Sequence, residues 1–409
     1  MPRLPTLVRT TVVAVVAAFL LPGAGPAIAA PPRWVRDIDR TIDGHDVSVA
    51  IAVRGNWLYR HAAWKQRTPA SNQKLLLSMA LLHRTSLRTR VRTQVFAKGT
   101  NTNGVLRGDL WVVGHGDPEV DRATMTELAR ALDASGIERV RGRVMGATTG
   151  FLRDWWAPGW QDYFPRDYIA LPTALAFEGN ADARGVHVRD PERRAARSLT
   201  KRLRARGIPV TRDPGAGSPP TGLRRVVTRR SASFEVLLRH MNRRSRNFHA
   251  EVLGKWLGQL VHGGAGSIAK GARAIEAFAG GRGVTVVAND SSGLSYGNRV
   301  RPQDLVALLR FARQRPWGPA FRAGLATGDQ GTLEDRLIGV KVRAKTGTLI
   351  AISALSGWVW LEREGTWAEF SIMSRGMAKS TAVAIEDRIV RIVANRASLA
   401  GASPSTKAA

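Results

Sequence analysis

Segments with the pattern of β-strands lie near both ends of the chain, and segments with helical periodicity lie between them. Apolar, β-branched residues over 47–53 and 57–61 flank the turn signal Gly55-Asn56, which predicts a β-hairpin. Three more strands are predicted in succession over 340–344, 350–360 and 367–373. An antiparallel sheet shared by the two ends, with helices packed on it, satisfies this order most simply and predicts an α+β fold.

Between these strands, apolar residues recur with the period of a helix. Residues 75–82 are apolar nearly all round, so we predict a buried helix that begins near Ser71, just after Pro69. Four further helices are predicted over 234–241, 248–260, 302–311 and 380–399. The small and polar residues 401–409 are predicted to form a disordered tail.

The stretch 89–228 has a different texture. Short strand-like runs alternate there with Gly and Asp turns, at 91–96, 108–113 and 140–147. One helix is predicted over 122–135, and the Pro-, Gly- and Ser-rich segment 213–221 predicts a loop. We therefore predict an inserted α/β domain over 89–228, between the two parts of a first domain at 30–88 and 229–400.

Residues 1–29 have the layout of a secretory signal peptide. Arg3 and Arg9 precede an apolar run over 12–21, and Ala27-Ile28-Ala29 follows. The alternative is a transmembrane anchor, but the apolar run falls short of the roughly 20 residues that a span needs. The chain has no Cys, which excludes a lipoprotein anchor and disulfides. We predict a secreted protein of the periplasm or extracellular cell envelope, without a transmembrane anchor after cleavage.

The formal net charge of the chain is +30, and most of the positive groups are arginines. Such a charge favours contact with a polyanion, which could be an anionic envelope polymer, a membrane surface or nucleic acid. The alternative is an Arg-rich solvated surface without a specific partner. Export and the lack of a nucleic-acid-binding signature argue against nucleic acid. We predict a solvated basic surface, with attraction to anionic envelope polymers as a secondary effect.

Three short motifs contain residues that can carry covalent chemistry. Ser71 and Lys74 form an S-x-x-K at the start of the predicted buried helix, where residues three apart share a face. A helix N-terminus stabilises negative charge, and a neutral Lys amine can act as the base for a Ser hydroxyl. Ser245 and Asn247 form an S-x-N just before a predicted helix, and Lys345 opens a K-T-G on a strand predicted over 342–349.

Each motif taken alone has an ordinary structural explanation. These explanations are an N-cap Ser with a solvated Lys, a capping Ser in a polar turn, and an exposed Lys on a strand. In the order S-x-x-K, S-x-N, K-T-G, however, the motifs match the set found in class A β-lactamases and penicillin-binding proteins. The combination predicts an enzyme that works through a covalent acyl-serine intermediate.

The chain resembles the D-alanyl-D-alanine carboxypeptidase/endopeptidase family, the low-molecular-mass class C penicillin-binding proteins of peptidase family S13. The segments that carry the resemblance are 69–75, 108–118, 158–160, 172–175, 241–251, 290–295 and 331–336. Arg246 departs from the usual Asp of S-x-N, Ser291 replaces a Gly, and the insertion is shorter than in larger members. The resemblance implies a penicillin-binding/serine β-lactamase-like transpeptidase fold, an antiparallel sheet with helices on both faces.

The resemblance also implies a mechanism. Ser71 attacks the carbonyl of a D-Ala-D-Ala peptide bond in a peptidoglycan stem peptide, and Lys74 accepts the hydroxyl proton. Ser245 relays a proton to the leaving amine, while Asn247 binds the substrate amide and orients Lys74. β-Lactam antibiotics are expected to acylate Ser71, and a crosslinked peptide in place of the terminal D-Ala gives endopeptidase activity.

Substrate binding is assigned by the same resemblance to the K-T-G segment. Lys345, Thr346, Gly347 and Thr348 are expected to hold the substrate and its C-terminal carboxylate. The backbone N–H groups of Ser71 and Thr348 are expected to form the oxyanion hole.

No cofactor or metal is expected. His115, Asp117 and Asp121 lie close together in the sequence, but their spacing is not that of a metal site. The Gly-rich turn around them predicts a polar loop instead.

Two other functions remain open. A serine β-lactamase shares the motifs, but class A enzymes have a short stretch between S-x-x-K and S-D-N and a deacylating Glu in an E-x-x-x-N segment. Neither feature is found here. The non-enzymatic alternative is a catalytically inactive envelope-binding scaffold of the same fold, and the joint presence of the motif residues argues against it.

Overall fold

The structure is a computed structural model that describes residues 30–396. Its strands are β1 (Val47–Val53), β2 (Asn56–His61), β3 (Arg90–Thr102), β4 (Val105–Gly114), β5 (Arg139–Val140), β6 (Val144–Ala147), β7 (Gly215–Gly217), β8 (Arg224–Ser233), β9 (Val342–Leu349), β10 (Ile352–Leu361) and β11 (Thr366–Arg375). Its helices are α1 (Arg33–Ile42), α2 (Gln73–Arg84), α3 (Arg122–Ala134), α4 (Phe164–Asp167), α5 (Pro191–Arg204), α6 (Phe234–Arg243), α7 (Asn247–His262), α8 (Ile268–Gly280), α9 (Pro302–Arg313), α10 (Gly318–Ala323) and α11 (Lys379–Ala394). Short 3₁₀ helices cover Ala70–Asn72, Glu178–Asn180 and Gly331–Leu333.

The predicted signal peptide and the predicted tail lie outside the described residues. Within 30–396, none of the helices has both the length and the apolar character that a membrane crossing requires. The structure therefore tests the predictions made for residues 30–396, which include the strands near both ends of the chain.

The two ends of the described chain meet in one antiparallel sheet with the strand order β2-β1-β11-β10-β9. The hairpin of β1 and β2 joins the C-terminal strands where Val47 pairs with Ser374. At the far side, Lys345 of β9 pairs with Ser356 of β10. The predicted hairpin and the predicted sheet between the two ends are both confirmed.

Helices cover both faces of this sheet, as the resemblance implied. Along β10, Leu355 and Val359 pack with α1 and α11 on one face, while Ala354 and Trp358 pack with the larger group of helices on the other. The sequence analysis missed α1. Its signal is the stripe formed by Trp34, Val35, Ile38 and Ile42, the buried residues of this otherwise polar helix.

A second sheet has the strand order β7-β6-β4-β3-β8, with β5 paired to β4. Pairing is antiparallel between β3 and its neighbours and parallel between β4, β6 and β7. α3 and α5 pack on this sheet around a separate apolar cluster. β8 continues to Ser233, past residue 228, where the inserted domain was predicted to end. The exact division of the chain into domains stays a prediction.

Three elements of this sheet region, β7, β8 and α5, were not predicted. β7 lies inside the segment that was predicted to be a loop. α5 is rich in arginine, and its buried face consists of Pro191, Glu192, Ala195, Ala196, Leu199, Thr200 and Leu203. These positions recur with the period of a helix, so the pattern is present in the sequence, but only two of the residues are large and apolar.

α2 is buried along nearly its whole length, as the all-round apolar pattern predicted. It packs against α6, α7 and α8, which bring the S-x-N segment to its N-terminal end. α8, which was not predicted, lies so close to α7 that a Cβ atom at Gly271 would be 2.6 Å from the carbonyl oxygen of Gly254. This packing holds the start of α2 between the helices and the edge of the sheet.

Candidate active site

Ser71 lies in the 3₁₀ turn that leads into α2, and the backbone approaches this turn closely on two sides. A Cβ atom at Gly347 would lie 2.7 Å from the carbonyl oxygen of Pro69, and one at Gly293 would lie 1.9 Å from that of Ala70. Ala70 itself has a φ of 46°, in the left-handed region. Glycine at these two positions lets the K-T-G strand and the 290–295 loop press on the turn that carries Ser71.

Lys74 is wholly buried and its amine contacts three oxygen atoms. Its Nζ lies 2.9 Å from Ser71 Oγ, 2.8 Å from Asn247 Oδ1 and 2.5 Å from the carbonyl oxygen of Ser292. Burial lowers the pKa of Lys74 to about 7, even though nearby carboxyl groups act in the opposite direction. A neutral amine with two protons donates to Asn247 and Ser292 and accepts a hydrogen bond from the Ser71 hydroxyl.

Lys345 of β9 is also wholly buried, and its Nζ lies 2.8 Å from Ser245 Oγ and 2.8 Å from the carbonyl oxygen of Thr346. Burial and the charges of Lys74 and Lys379 hold the pKa of Lys345 well below its usual range. The two predicted lysines are therefore close enough to influence each other. Each has one serine hydroxyl within hydrogen-bond distance.

The S-x-N segment is the turn between α6 and α7. Ser245 has a φ of 53°, and this conformation turns the chain so that Ser245 contacts Lys345 while Asn247 contacts Lys74. Asn247 Nδ2 also donates to the carbonyl oxygen of Tyr168, 3.2 Å away. Arg246 does not line the cleft beside Ser71; its guanidinium lies 3.2 Å from His249 Nε2. The arginine of the S-x-N motif therefore adds no charge to the lining of the cleft.

These side chains lie in one cleft of about 730 Å³. Its lining includes Ser71, Ser245 and Asn247 together with Thr346 and Thr348, whereas Gly347 is buried against the turn of Ser71. The lining also includes four aromatic residues, Tyr163, Phe164, Tyr168 and Tyr296. The structure therefore brings the predicted motif residues together in a cleft that polar and aromatic side chains line. Their roles stay predictions.

A pair of buried carboxyl groups, Asp290 and Glu251, lies near Lys74, and their roles were not predicted from the sequence. Asp290 accepts hydrogen bonds from the side chains of Trp160 and Asn298 and from the backbone of its own loop. Glu251 of α7 accepts from the backbone N–H groups of Ser291 and Ser292 at 2.9 and 2.7 Å. Both acids lie in segments used for the family resemblance, which is the signal that could have found them.

Glu251 positions the loop that supplies an oxygen to Lys74. The backbone of Ser292 donates to Glu251 through its N–H and accepts from Lys74 through its carbonyl. Burial and the neighbouring Asp290 raise the pKa of Glu251 to about 8, so the acid is protonated at neutral pH. Ser291 replaces a Gly of the family pattern. Its hydroxyl occupies the space beside Gly254, because a Cβ atom added at Gly254 would lie 2.0 Å from Ser291 Oγ.

His115, Asp117 and Asp121 each have a partner within the protein. Asp121 caps α3 by accepting from the backbone N–H of Thr124 at 2.8 Å. Asp117 accepts from the backbone N–H of Glu119, and His115 lies 2.9 Å from Gln94 Oε1. These contacts agree with the polar-loop interpretation.

The chain is similar to two curated proteins over most of its length. It is 28% identical to the D-alanyl-D-alanine carboxypeptidase of Actinomadura sp. (strain R39), over 90% of this chain and 86% of that protein. It is also 28% identical to a carboxypeptidase of Mycobacterium tuberculosis, over 91% of this chain and 84% of that protein.

Solved structures share the fold. Penicillin-binding protein 4 of Haemophilus influenzae superposes with a TM-score of 0.78 at 18% identity, covering 88% of this chain and 99% of that one. A predatory endopeptidase of Bdellovibrio bacteriovorus superposes with a TM-score of 0.54 at 17% identity, covering 89% and 95%. At such identities these likenesses show the fold alone, and they confirm the penicillin-binding fold class that the motifs implied.

The family match covers nearly all of the described chain. Residues 38–181 and 168–396 match the D-Ala-D-Ala carboxypeptidase 3 (S13) family, and the matched ranges include every motif of the cleft. The protein therefore belongs to the D-Ala-D-Ala carboxypeptidase 3 (S13) family.

Proposed function

We propose that the protein is a serine D-alanyl-D-alanine carboxypeptidase that cleaves peptidoglycan stem peptides through an acyl-enzyme on Ser71. The general role, hydrolysis of a D-Ala-D-Ala peptide, follows from membership of the family. The observation that best supports the serine mechanism is the distance of 2.9 Å between Ser71 Oγ and the buried Nζ of Lys74. An amine with a pKa of about 7 is available as a base at neutral pH, which a solvated Lys is not.

In the proposed acylation step, Ser71 Oγ forms a bond to the carbonyl carbon of the penultimate D-Ala while Lys74 takes the hydroxyl proton. Negative charge develops on the carbonyl oxygen, beside the backbone N–H groups of Ser71 and Thr348, where each donor would contribute roughly 3–4 kcal/mol. The carbon–nitrogen bond then breaks, and the nitrogen of the terminal D-Ala receives a proton through Ser245. Water hydrolyses the ester and restores the free serine.

Substrate binding is proposed along β9. This strand is the last of its sheet, so beyond the bridge between Ala344 and Ala326 its edge can pair with an extended peptide. The terminal carboxylate would lie beside the hydroxyls of Thr346 and Thr348, above Lys345. A bound carboxylate favours the charged form of a lysine, which offsets the burial that lowers the pKa of Lys345.

The same machinery supports two further reactions as proposals. A β-lactam would acylate Ser71 when its ring amide takes the place of the scissile peptide bond, and the adduct would persist. A crosslinked stem peptide in place of the terminal D-Ala would make the enzyme an endopeptidase. The site of action that fits the predicted signal peptide is the periplasm or the extracellular cell envelope.

The decisive experiment compares wild type, Ser71→Ala and a matched control, Ser86→Ala, whose hydroxyl is exposed beyond the C-terminal end of α2. Each protein is incubated with a D-Ala-D-Ala pentapeptide, a crosslinked muropeptide and a penicillin, and the products and the intact protein mass are measured. Wild type and Ser86→Ala are expected to release D-Ala and to carry one penicilloyl group, and Ser71→Ala to do neither.

Other results point to the other functions. Rapid turnover of the penicillin without a lasting adduct would indicate a β-lactamase. A folded wild type that neither releases D-Ala nor accepts a penicilloyl group would indicate a non-catalytic scaffold. An adduct on Ser71→Ala equal to that on wild type would exclude Ser71 as the nucleophile.

A further inference from the structure

A basic pocket of about 400 Å³ adjoins the cleft, and we name it the arginine pocket. Its basic lining consists of four arginines, Arg239, Arg243, Arg244 and Arg246, together with His240, and Gln330 and Gly331 close it. At two places in the sequence, a residue that lines the pocket is directly followed or preceded by a residue that lines the cleft. Ser245, in the cleft, is flanked by Arg244 and Arg246, and Thr332, also in the cleft, follows Gly331.

Little negative charge compensates these cations. Within residues 30–396, neither Arg239 nor Arg244 has a carboxylate oxygen within ion-pair distance. Glu119 is the acid at the rim, 3.7 Å from Arg246, and it also contacts His240 at 2.7 Å and His249 at 3.1 Å. Burial alone would raise the pKa of Glu119, but hydrogen bonds from the two histidines outweigh it and lower the pKa to about 2. Glu119 is thus shared by the Arg246 guanidinium and two imidazole rings.

Arg243 is the most constrained of these arginines. It donates to the Gln330 side chain and, at 3.0 Å, to the carbonyl oxygen of Ala323, while its Nε is buried without a partner among the described residues. Burial and the cations of Arg239 and Arg343 lower the pKa of Arg243, although Asp329 acts in the opposite direction. Guanidinium groups crowded in this way repel one another unless an anion lies between them.

We propose that the arginine pocket binds a phosphate group carried by an anionic, phosphodiester-containing polymer of the cell envelope. A phosphate accepts hydrogen bonds on several oxygens and can bridge two or more guanidinium forks, which a single carboxylate does less well. The pocket has room for such a group, and its exposed arginines, Arg244 and Arg246, face incoming ligand. A polymer bound there would hold the enzyme on the envelope with its cleft beside the bound chain.

The proposed phosphate site gives a function to Arg246, where the family pattern has Asp. An Asp at this position would place a negative charge beside Glu119 and remove one guanidinium from the pocket. The catalytic contacts would not change, because Ser245 and Asn247 reach the lysines from either side of residue 246. Arg246 therefore binds an anion, whereas its neighbours Ser245 and Asn247 belong to the cleft.

The test measures binding by calorimetry at constant ionic strength, without peptide substrate, so its result does not depend on the proposed hydrolysis. The proteins are wild type, Arg244→Gln/Arg246→Gln, and Arg224→Gln/Arg225→Gln, in which two exposed arginines of β8 give the same change in charge. The ligands are inorganic phosphate, a synthetic oligo(glycerol phosphate) and oligo-glutamate of equal charge.

Wild type is expected to bind phosphate and the glycerol phosphate oligomer saturably. Arg244→Gln/Arg246→Gln should lose at least about tenfold in affinity for both, since each charged hydrogen bond lost costs about that much. The β8 variant should bind as wild type does. Equal loss in the β8 variant, or oligo-glutamate bound as tightly as the phosphate oligomer, would overturn a phosphate site. Binding of free phosphate but not of the oligomer would overturn the polymer as its source.

Discussion

The amine of Lys74 lies 2.9 Å from the hydroxyl of Ser71, and no part of the Lys74 side chain is exposed to solvent. Ser71 lies in the 3₁₀ turn that leads directly into α2 and Lys74 lies in the first turn of α2, so their contact follows from local chain geometry. What makes the amine a base is its burial, which removes water from the charged form and lowers the pKa of Lys74 to about 7. This relationship predicts how the enzyme responds to substitution and to pH.

Lys74→Met should retain the fold but lose the base. Methionine is also long, unbranched and apolar, so it suits a buried position, and the rate of acylation by a fluorescent penicillin should fall about 10²–10⁴-fold. The measurement is the second-order rate of labelling, with thermal unfolding followed on the same samples. Lys98→Met, at an exposed lysine of β3, is the matched control and should label as wild type does. Labelling of Lys74→Met at the wild-type rate would rule out Lys74 as the base.

The rate of acylation should rise with pH through about 7. The reactive form of Lys74 is the neutral amine, which is half populated near its pKa of about 7 and falls tenfold for each pH unit below it. The check is the second-order rate constant for an uncharged acyl donor between pH 5 and 9 at fixed ionic strength. A rate that is flat, or that falls, between pH 6 and 8 contradicts a base with this pKa.

Glu251 can be tested with a pair of variants. Since its pKa is about 8, Glu251 is uncharged at neutral pH, and Glu251→Gln preserves both its charge and its acceptor for the N–H groups of Ser291 and Ser292. Glu251→Ala leaves those two buried N–H groups without an acceptor, at a cost of about 1–3 kcal/mol each.

We therefore expect urea unfolding to give a free energy of unfolding several kcal/mol lower for Glu251→Ala than for Glu251→Gln. Penicillin labelling should slow in the alanine variant alone, because the Ser292 carbonyl that contacts Lys74 loses its support. Equal stability and equal labelling of the two variants would show that Glu251 does not position this loop.

The sequence predicts contacts within a helix better than contacts between distant segments. Ser71 and Lys74 are three residues apart, in the 3₁₀ turn and at the start of the helix that follows it, and this local geometry brings them together. That Lys345 contacts Ser245, 100 residues away, while Lys74 contacts Asn247, 173 residues away, depends on how α7 and β9 pack around α2. Without the family pattern, nothing in the local spacing pairs these groups.

α5 and α8 were not predicted, although their buried residues recur with the period of a helix. α5 buries Leu199 and Leu203 among small and polar residues, and α8 buries Ile268, Ile275 and Phe278 beside one glycine and three alanines, so large apolar residues form only part of each buried face. The orientation of Arg246 was also beyond the sequence. Glu119, in the loop that follows β4, is its partner, and no pattern within the motif points to a residue so distant in the chain.

Gly293→Ala should damage the active site through the backbone rather than through any side chain. Gly293 has a φ of 86°, and an added Cβ atom would lie 1.9 Å from the carbonyl oxygen of Ala70, so the turn that carries Ser71 must move. Gly136→Ala is the matched control, because its φ is 77° but nothing lies within 4 Å of the added atom. The control carries only the cost of an unfavourable φ, roughly 1–2 kcal/mol. Penicillin labelling and urea unfolding should show a much larger loss for Gly293→Ala, and equal losses in the two variants would mean that close backbone approach does not set the position of Ser71.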